Sequence, residues 1–459
     1  MINKIFDVAI IGAGVVGSAI AREFAKHDLT LCLIDAAADV GEATSKSNTA
    51  ILHTGFDMTP GSLEAKLVSQ GYQLLKAYAG EVNIAVEKLG GLLVAWSDEE
   101  VANLPKLKEK AIANGYTECE LITKEELYKL EPNLGDGALA ALTVPGEWII
   151  DPWSPIVAFA TQAKLAGCEI RLNTKVLDIA VAGELITLGT NDQPITCKYL
   201  INAAGLYSDE IDKLLGISDF KVRPRRGELI VFDKLSRSLI NHIILPVPSS
   251  MGKGVLVAPT VFGNIMLGPT AENLDDKTAT GSTNAGLKFL MEKGRKIAPQ
   301  LLGEEITAIY AGLRAATEHS DFQIKLHTVN NKQRYLTAGG IRSTGLTASM
   351  AIATYVKQLL IAAGLDTGGE KELPAVKMNN LGEASLRSYQ DEEKIAQSPL
   401  HGSIICHCEK TTTQEVLDAL ASPLPPTTIG NLARRTRAGL GRCQGFYCHS
   451  ELRKLLEKR

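Results

Sequence analysis

The sequence predicts a chain of mixed class, part α/β and part α+β, on three observations. Residues 7–12 form a short apolar run that ends in glycine and leads into helically spaced apolar residues, which is how a βαβ unit opens. Residues 227–270 are rich in β-branched and apolar residues separated by turn signals, which predicts an antiparallel sheet. Four of the eight cysteines lie in residues 401–459. We therefore expect a Rossmann-type nucleotide-binding domain interleaved with an antiparallel-sheet substrate domain, followed by a small helical metal-binding module.

The remaining elements follow from apolar spacing and turn residues. A capping box, Thr123 with Glu126, predicts the start of one helix. Pro105 fits the first turn of another, over residues 104–114. Further helices are expected at 61–78 and 346–364. Strands are expected at 29–35, 170–172, 176–180, 185–188 and 199–202.

The domain organisation follows from these elements and from a change in composition near residue 365. Residues 1–365 form the main body, and residues 366–400 are polar, with weak periodicity, and form a linker. Residues 401–459, called the cysteine module below, complete the chain. In the body, the nucleotide-binding parts are predicted at about 1–80, 150–220 and 325–365, and the substrate parts at about 81–149 and 221–324.

Composition excludes several classes of protein. The chain has 459 residues, 45% of them apolar and 22% charged, which is ordinary for a globular protein. A net charge of -4 gives no reason to expect a nucleic-acid partner. No uninterrupted apolar run reaches the ~18 residues that a membrane-spanning helix needs. The N-terminus leads straight into a strand, so we expect no signal peptide and a cytoplasmic location, or one at the inner membrane surface through a partner.

A nucleotide fingerprint stands at the start of the chain. The pattern G-x-G-x-x-G follows the first strand and opens a helix, and an acid, Asp35, stands 18 residues after its last glycine. These glycines allow a tight turn, close approach of backbone N–H groups to a pyrophosphate and close helix–strand packing, while the acid accepts from a ribose hydroxyl. The predicted dinucleotide ligands here are Gly12, Gly14, Val15, Val16, Gly17 and Asp35.

Other segments contribute to the same site. Small residues end the strand at 199–202, a glycine-rich loop opens the helix at 346–364, and a polar segment follows the second strand. Together these resemble the FAD-dependent amine and glycine oxidase-type superfamily, which implies that the dinucleotide is FAD. The further cofactor-binding residues expected on this basis are Thr44, Ser45, Ser47, Asn48, Val176, Ala204, Gly205, Gly345, Leu346 and Thr347.

Within that superfamily, the body resembles the FAD-dependent glycerol-3-phosphate dehydrogenase/oxidase family, and is also similar to L-2-hydroxyglutarate dehydrogenase. The resemblance covers about residues 4–365, and it rests on segments 47–57, 60–66, 146–152, 225–228, 247–255, 268–271, 311–314 and 345–348. It implies that His53 lies against the flavin and takes the proton of an alcohol. It also implies that Lys253 faces the substrate.

The chemistry that this resemblance implies needs three kinds of group. A base takes the hydroxyl proton, the flavin accepts the hydride, and cations hold an anionic substrate. His53 is the predicted base, and Arg314 and Lys253, with Arg342 as a third candidate, are the predicted cations. Since phosphate and carboxylate require the same cations, the residues alone leave the substrate open between glycerol 3-phosphate, a 2-hydroxy acid and an amino acid.

The cysteine module holds a C-x-C pair, Cys406 and Cys408, and a C-x4-C pair, Cys443 and Cys448. Four thiolates suit an iron–sulfur cluster or zinc, and a metal-free module is a third alternative. Residues 404–450 resemble the [2Fe-2S] domain of the bacterioferritin-associated ferredoxin type, which implies a [2Fe-2S] cluster on these cysteines. We expect the arginines in residues 434–442, and a helix beginning after Cys443, to offset the negative charge of the cluster.

These expectations describe an FAD-dependent dehydrogenase that oxidises a small anionic hydroxy compound, with glycerol 3-phosphate as the first candidate. Electrons would leave the flavin through the [2Fe-2S] cluster to a redox partner protein or subunit. L-2-hydroxyglutarate, another hydroxy acid or an amino acid is the alternative substrate. An electron-transfer subunit whose substrate site lies on another chain is the alternative from a different class.

Overall fold

The computed structural model describes residues 4–248 and 254–458, so Lys253 lies outside the described residues. The strands are β1 Ile5–Ile11, β2 Leu31–Ile34, β3 Ile51–Leu52, β4 Val86–Glu87, β5 Gly91–Ala95, β6 Leu121–Thr123, β7 Ala140–Val144, β8 Trp148–Ile150, β9 Glu169–Arg171, β10 Val176–Ala182, β11 Leu185–Thr190, β12 Ile195–Asn202, β13 Arg223–Phe232, β14 Ile243–Pro246, β15 Leu256–Pro259, β16 Ile265–Gly268, β17 Glu272–Asn273, β18 Ile306–Ala316, β19 Gln323–Val329, β20 Lys332–Gly339, β21 Ile404–Cys406 and β22 Thr411–Thr412. The α-helices are α1 Val15–Phe24, α2 Leu63–Glu81, α3 Asp98–Ala113, α4 Lys124–Leu130, α5 Ser154–Leu165, α6 Ser208–Lys213, α7 Asn284–Ile297, α8 Gly345–Ala362, α9 Glu392–Gln397, α10 Thr413–Ala421, α11 Ile429–Thr436 and α12 His449–Glu457.

An eight-stranded sheet with a parallel centre carries the nucleotide-binding part. β1 lies between β2 and β12 and is parallel to both, and β9 extends the sheet beyond β2. The far side of β12 is shared, because β11 pairs antiparallel with its first half and β20 pairs parallel with its second half. The carboxyl ends of β1, β2 and β12 therefore meet at one edge, which is where ligands bind in open α/β sheets.

The helices α1, α2, α5 and α8 cover one face of this sheet and share its largest apolar core. α8 is the single helix in the described part of the chain that is long and apolar enough to cross a membrane, judged by length and composition alone. This helix is an exception to the expectation from sequence that no segment is long and apolar enough to span a membrane. In the fold α8 packs against α1 and α2, and Ala348, Ile352 and Val356 on it are fully buried, so it serves as a core helix.

A nine-stranded sheet forms the substrate part, in the order β17-β13-β16-β15-β14-β5-β7-β6, with β18 on the other side of β13. Its strands come from two separate stretches of chain, before α5 and after α6, so the two parts are interleaved. The predicted antiparallel sheet and the predicted fold class are confirmed, with one parallel pair, β5 with β14, where the two stretches join. The bounds of the predicted domains stay a prediction.

The cysteine module consists of the hairpin β21–β22 and the helices α10, α11 and α12, packed around its own small apolar core. Val416, Leu432 and Leu452, one from each helix, are fully buried there. A capping box, in which Thr412 and Glu415 satisfy each other's backbone N–H groups, starts α10. The predicted small helical module is confirmed.

One helix start is wrong in the sequence prediction. α3 begins at Asp98, and Pro105 stands inside the helix instead of in its first turn. The signal that decides the start is Ser97, whose hydroxyl accepts from the N–H of Glu100 at 3.3 Å, followed by three acidic residues in the first turn. The capping box predicted at Thr123 and Glu126 is confirmed as the start of α4.

Candidate functional site

The glycine turn between β1 and α1 is shaped for a ligand that approaches the backbone. Gly12 has a φ of +101°, and a Cβ there would collide with the carbonyl oxygen of Ala203 at the end of β12. A Cβ at Gly17 would collide with the carbonyl of Gly12, so that glycine sets the close approach of α1 to the turn. Gly14 caps α1 without a side-chain hydrogen bond. The N–H of Val15 donates to the Ser45 hydroxyl, and the first-turn N–H of Val16 belongs to a helix end that suits an anion.

Asp35 stands at the end of β2, where the fingerprint requires an acid. Its two carboxylate oxygens accept from the N–H of Ala13 at 2.7 Å and of Ala37 at 2.8 Å. Burial raises the pKa of this carboxyl, and the two backbone bonds oppose that shift. The carbonyl of Asp35 accepts from the N–H of Thr174 at 2.8 Å, which brings the start of β10 at Val176 close to the same edge.

The segment 44–48, called the polar loop below, joins α1 to the second sheet. The hydroxyl of Ser45 accepts from the N–H of Val15 at 3.0 Å, and Asn48 donates to the carbonyl of Ser45 at 2.8 Å. The Thr44 hydroxyl donates to the carbonyl of Leu313 on β18 at 2.8 Å. The structure thus brings these predicted cofactor residues into one connected group. Ser47 belongs to it as well, because it lies against Gly312 on β18.

The N-terminus of α8 completes the set of predicted cofactor-binding residues. A Cβ on Gly345 would lie 4.0 Å from the side chain of Val15, so the N-termini of α8 and α1 are near each other. The Thr347 hydroxyl accepts from the backbone N–H of His53 at 3.1 Å. Leu346 is buried beside it. At the end of β12, Ala204 donates its N–H to Asn202 at 3.1 Å, and Gly205 adopts a φ of +55°.

His53 lies between two carboxylates. Its Nε2 is 3.3 Å from Asp57 Oδ1, and its Nδ1 is 3.4 Å from Glu147 Oε1. Nδ1 also accepts from the N–H of Gly55 at 2.9 Å, which assigns the proton of the neutral ring to Nε2. The ring stacks on Phe56 with centroids 5.6 Å apart, so packing fixes its plane. A protonated ring is well accommodated here, because both carboxylates stabilise its charge.

Glu147 is a candidate functional residue that sequence reasoning missed, although it lies within segment 146–152. The side chain of Glu147 is 1% exposed and accepts from the N–H and the hydroxyl of Thr54 at 2.7 and 2.8 Å. The signal available was an acid between Gly146 and Trp148 in a segment that resembled the oxidase family. Its contact with His53 spans 94 positions of the sequence, from 53 to 147, and only the fold reveals it.

The predicted cations differ in their surroundings. Arg314 lies on β18 next to the polar loop and donates to the carbonyl of Thr270 at 2.8 Å. Burial, and then the neighbouring Arg225, lower its pKa to about 10, so the guanidinium stays charged at neutral pH. Arg342 instead donates to Glu64 at 2.7 Å and to the carbonyl of Ser320, which ties the loop before α8 to α2.

In the cysteine module the four thiols lie close enough to influence one another's pKa. Burial is the largest cause of the raised pKa of Cys408, and Cys443 and Cys406 both contribute to it. Burial is likewise the largest cause of the raised pKa of Cys448, and Cys406 and Cys443 both contribute to it. Cys406 also accepts from the N–H of Gly439 at 3.5 Å. Burial raises the pKa of Cys443, but backbone N–H groups between the two last cysteines and the Cys408 thiol outweigh it, so that its pKa is lowered. In the described part of the chain, no three His, Cys, Asp or Glu side chains surround a single point that would hold one metal ion.

Of two expectations about charge near the cysteines, the position of the helix N-terminus is wrong, and the role of the arginines holds only in part. The helix N-terminus in this region follows Cys448, which caps α12, because residues 443–447 form turns. Arg442 interacts electrostatically with Cys408 as well as with Glu305, whereas Arg434 and Arg435 are directed at acidic side chains. Arg435 donates to both oxygens of Asp39, at 2.6 and 2.8 Å, and Arg434 pairs with Asp39 and Glu42.

The module therefore docks on the nucleotide-binding part next to the polar loop. Arg437 donates to Glu409 at 3.0 Å within the module, and its guanidinium lies 4.3 Å from the ring centre of Phe262. Phe262 stacks on Trp153 with centroids 5.5 Å apart, and the Trp153 indole donates to the carbonyl of Lys46 at 3.1 Å. A continuous set of contacts thus runs from the polar loop to the segment that carries the cysteines.

The sequence matches the family of FAD dependent oxidoreductases over residues 7–359. The chain belongs to this family. Residues 404–458 of the oxidoreductase match the BFD-like [2Fe-2S] binding domain. Its cofactors are therefore FAD, for which the glycine turn, the polar loop and the α8 N-terminus form a fitting cradle, and a [2Fe-2S] cluster, for which the four cysteines of the module supply thiolate ligands.

The oxidoreductase has relatives that match nearly its whole length or most of it. It is 36% identical to the glycerol 3-phosphate dehydrogenase of Caloramator mitchellensis, over 99% of this chain and 94% of that one. It is 32% identical to the glycerol 3-phosphate oxidase of Mycoplasma pneumoniae, over 77% of this chain and 94% of that one. The solved structure of the Mycoplasma pneumoniae L-alpha-glycerophosphate oxidase with FAD bound resembles it with a TM-score of 0.74 and 30% identity, over 82% of this chain and 97% of that one.

Proposed function

We propose that this oxidoreductase is a dehydrogenase that converts glycerol 3-phosphate to dihydroxyacetone phosphate and passes the electrons to a partner protein. The observation that carries the proposal is the 36% identity with a glycerol 3-phosphate dehydrogenase over 99% of the chain, which includes the cysteine module as well as the body. The geometry around His53 and Arg314 supports an anionic alcohol as the substrate.

His53 is the proposed base for the hydroxyl proton of the substrate. With the neutral ring protonated at Nε2, the substrate proton goes to Nδ1, which then gives up the hydrogen bond from the Gly55 N–H. The resulting imidazolium lies between Asp57 and Glu147, whose carboxylates stabilise the new charge. The stacked Phe56 holds the plane of the ring, so little orientational freedom is lost in the reaction. FAD supplies the acceptor for the hydride.

Arg314 is the proposed ligand for the substrate anion. It stands on β18, two residues from Gly312, where the strand meets the polar loop. A guanidinium forms paired hydrogen bonds with phosphate or carboxylate. Lys253 stays a proposed second cation. For Arg342 the structure favours a role in tying α2 to the loop before α8, because its guanidinium is taken up by Glu64.

The cysteine module supports a partner that accepts single electrons. A [2Fe-2S] cluster is a one-electron carrier held by four thiolates. Since the module docks beside the polar loop, an enzyme with its own acceptor module is favoured over a subunit whose substrate site lies on another chain. The identity of the partner, and a cytoplasmic or membrane-surface location through it, are part of the proposal.

The test is anaerobic reduction of the purified holoprotein by candidate substrates, followed by the visible absorption of the flavin. We expect glycerol 3-phosphate to bleach the flavin band, and His53→Asn to slow that step by about 100-fold or more, since general-base catalysis contributes about 10²–10⁴-fold. Spectra of the variant before substrate is added show whether it retains flavin and cluster. Failure of glycerol 3-phosphate to reduce the wild-type flavin would reject the substrate.

A 2-hydroxy acid is the second candidate. The chain is 32% identical to human L-2-hydroxyglutarate dehydrogenase, but over only 58% of this chain and 61% of that one. Bleaching by L-2-hydroxyglutarate and not by glycerol 3-phosphate would favour this alternative.

A further inference from the structure

Two arginines stand side by side on the sheet next to the polar loop. β13 and β18 pair antiparallel, with Arg225 directly opposite Arg314. Residues directly opposite on such a pair lie on the same face, with Cβ atoms about 5 Å apart, where like charges destabilise the sheet. The Nε of Arg225 is buried without a hydrogen-bond partner, and neither arginine forms an ion pair with an acid in the described ranges 4–248 and 254–458. The pair therefore lacks an anion.

The adjacent Arg226 differs from Arg225 in having an acidic partner, although its Nε is likewise buried without a hydrogen-bond partner. Arg226 points to the other face of β13, because successive side chains alternate along a strand. It pairs with Glu272 at 2.5 Å and donates to the carbonyl of Gly281 at 3.1 Å. Arg226 is therefore neutralised within the protein, whereas Arg225 is not.

The face that carries Arg225 and Arg314 is the one that meets the polar loop. Tyr310 and Gly312 share this face of β18 with Arg314, since they are spaced two apart. The Tyr310 hydroxyl donates to the carbonyl of Asn48 at 2.9 Å, and a Cβ on Gly312 would collide with Ser47. Both arginines consequently lie on the side of the sheet where the proposed substrate binds.

We propose that Arg225 is a second ligand for the anionic group of the substrate, and that the Arg225–Arg314 pair selects a phosphate dianion over a carboxylate. The inference rests on the proposed function, because it concerns the same site. A phosphate monoester carries a charge of about −1.5 to −2 at neutral pH and offers three acceptor oxygens, which is enough for two guanidinium forks. A carboxylate carries one charge and two oxygens, so it relieves the repulsion between the arginines only in part. Burial lowers the pKa of Arg314 most, and the charge of Arg225 lowers it further, as expected for two like charges on neighbouring strands.

The test compares Arg225→Gln with Arg223→Gln in the holoprotein. Arg223 lies on the same face of β13, two residues before Arg225, and is exposed, so its replacement removes the same charge without touching the site. We expect Arg225→Gln to raise KM for glycerol 3-phosphate and Kd for inorganic phosphate by about 10–100-fold, the usual effect of losing a hydrogen bond to a charged group. KM for a hydroxy monocarboxylate such as lactate should change less than about 3-fold, and Arg223→Gln should change none of these values.

Arg225→Lys is the second variant, and it should recover part of the phosphate affinity because it keeps the charge and loses the fork. Equal effects of Arg225→Gln on phosphate and carboxylate ligands would overturn the proposed selectivity. Calorimetry with inorganic phosphate separates this inference from the substrate proposal, since it needs no turnover. A wild-type protein that binds phosphate no better than Arg225→Gln would refute the inference, whether or not glycerol 3-phosphate is oxidised.

Discussion

Replacing Asp39 with asparagine should release the cysteine module from the nucleotide-binding part. Asp39 follows β2, and its carboxylate accepts one hydrogen bond from each terminal nitrogen of Arg435, at 2.6 and 2.8 Å. This is the paired geometry in which guanidinium and carboxylate interact most strongly. Asparagine keeps the size of the side chain but loses its charge and one of the two acceptors.

The magnitude follows from burial. The side chains of Asp39 and Arg435 are each 5% exposed, so the variant leaves a charged guanidinium buried without its counter-charge. Removing one partner of such a pair costs about 3–5 kcal/mol. Because the asparagine oxygen still accepts one hydrogen bond, we expect the lower end, about 3 kcal/mol, which corresponds to roughly a 150-fold larger population of undocked module.

Limited proteolysis of the holoprotein measures this population. Cleavage within residues 366–400, the predicted linker, tracks the fraction of opened molecules when opening and closing are fast relative to cleavage. The rate for Asp39→Asn should rise about 150-fold over wild type. Glu42→Gln is the matched control, because Glu42 pairs with Arg434 but is 30% exposed, and such a pair contributes less than about 1 kcal/mol. Its cleavage rate should rise less than about 5-fold.

Equal cleavage rates for the two variants would refute this reasoning, since burial is the property that distinguishes the two pairs. A change in flavin or cluster content would be a different outcome, and the visible spectrum of each preparation reports it. Salt gives a second check, because 1 M salt should weaken the exposed pair more than the buried one.

Three further predictions concern the body of the enzyme. Glu147→Gln should lower kcat about 10–100-fold with a smaller change in KM, measured by steady-state turnover, because it removes one of the two charges that stabilise protonated His53. Arg342→Met should lower the free energy of unfolding by about 1 kcal/mol in urea titration and leave KM within about twofold, since that arginine is held by an acid of α2. Burial raises the pKa of Glu23, but hydrogen bonds and charges from Lys26 and Lys357 outweigh it, so that the pKa lies below its ordinary value of 4.5. The stabilisation that ionised Glu23 contributes is therefore complete above pH 4.5 and is lost as the pH falls below it. Glu23→Gln should flatten that part of a curve of unfolding free energy against pH.

Features that depend on neighbours in sequence were predictable. The turn at Gly12 requires a positive φ and close backbone contact, and a G-x-G-x-x-G pattern between a strand and a helix announces both. The capping box at Thr123 and Glu126 is a contact over three residues, and its two partners are visible in the sequence. The start of α3 could have been predicted in the same way. Ser97 followed by three acidic residues is a stronger signal for a helix N-terminus than Pro105.

Contacts between distant segments were not predictable from residue type. Arg342 and Arg314 are both arginines in segments that resemble the same family, yet among the described residues Arg342 donates to Glu64 and Arg314 to a backbone carbonyl. The sequence carries no sign of which acid an arginine will meet when the two lie 278 positions apart, as Arg342 and Glu64 do. Glu147 could be found only by knowing that β3 and β8 pair, because that pairing brings it to His53.

For the arginines before Cys443, the distribution of charge along the sequence indicated which groups they would contact. Residues 401–459 contain nine Lys and Arg and five Asp and Glu, a net charge of +4, so the rest of the chain carries −8. A basic module next to an acidic body favours docking between the two, whereas a role in offsetting the charge of four thiolates requires only local neighbours. Both explanations place arginines near the cysteines, and they differ in what the guanidinium groups touch. In the structure Arg434 and Arg435 touch Asp39, so these charges hold the cysteine module against the polar loop. The position of the module therefore follows from ion pairs remote from the cysteines together with two that flank them, Lys234 with Glu409 and Arg442 with Glu305.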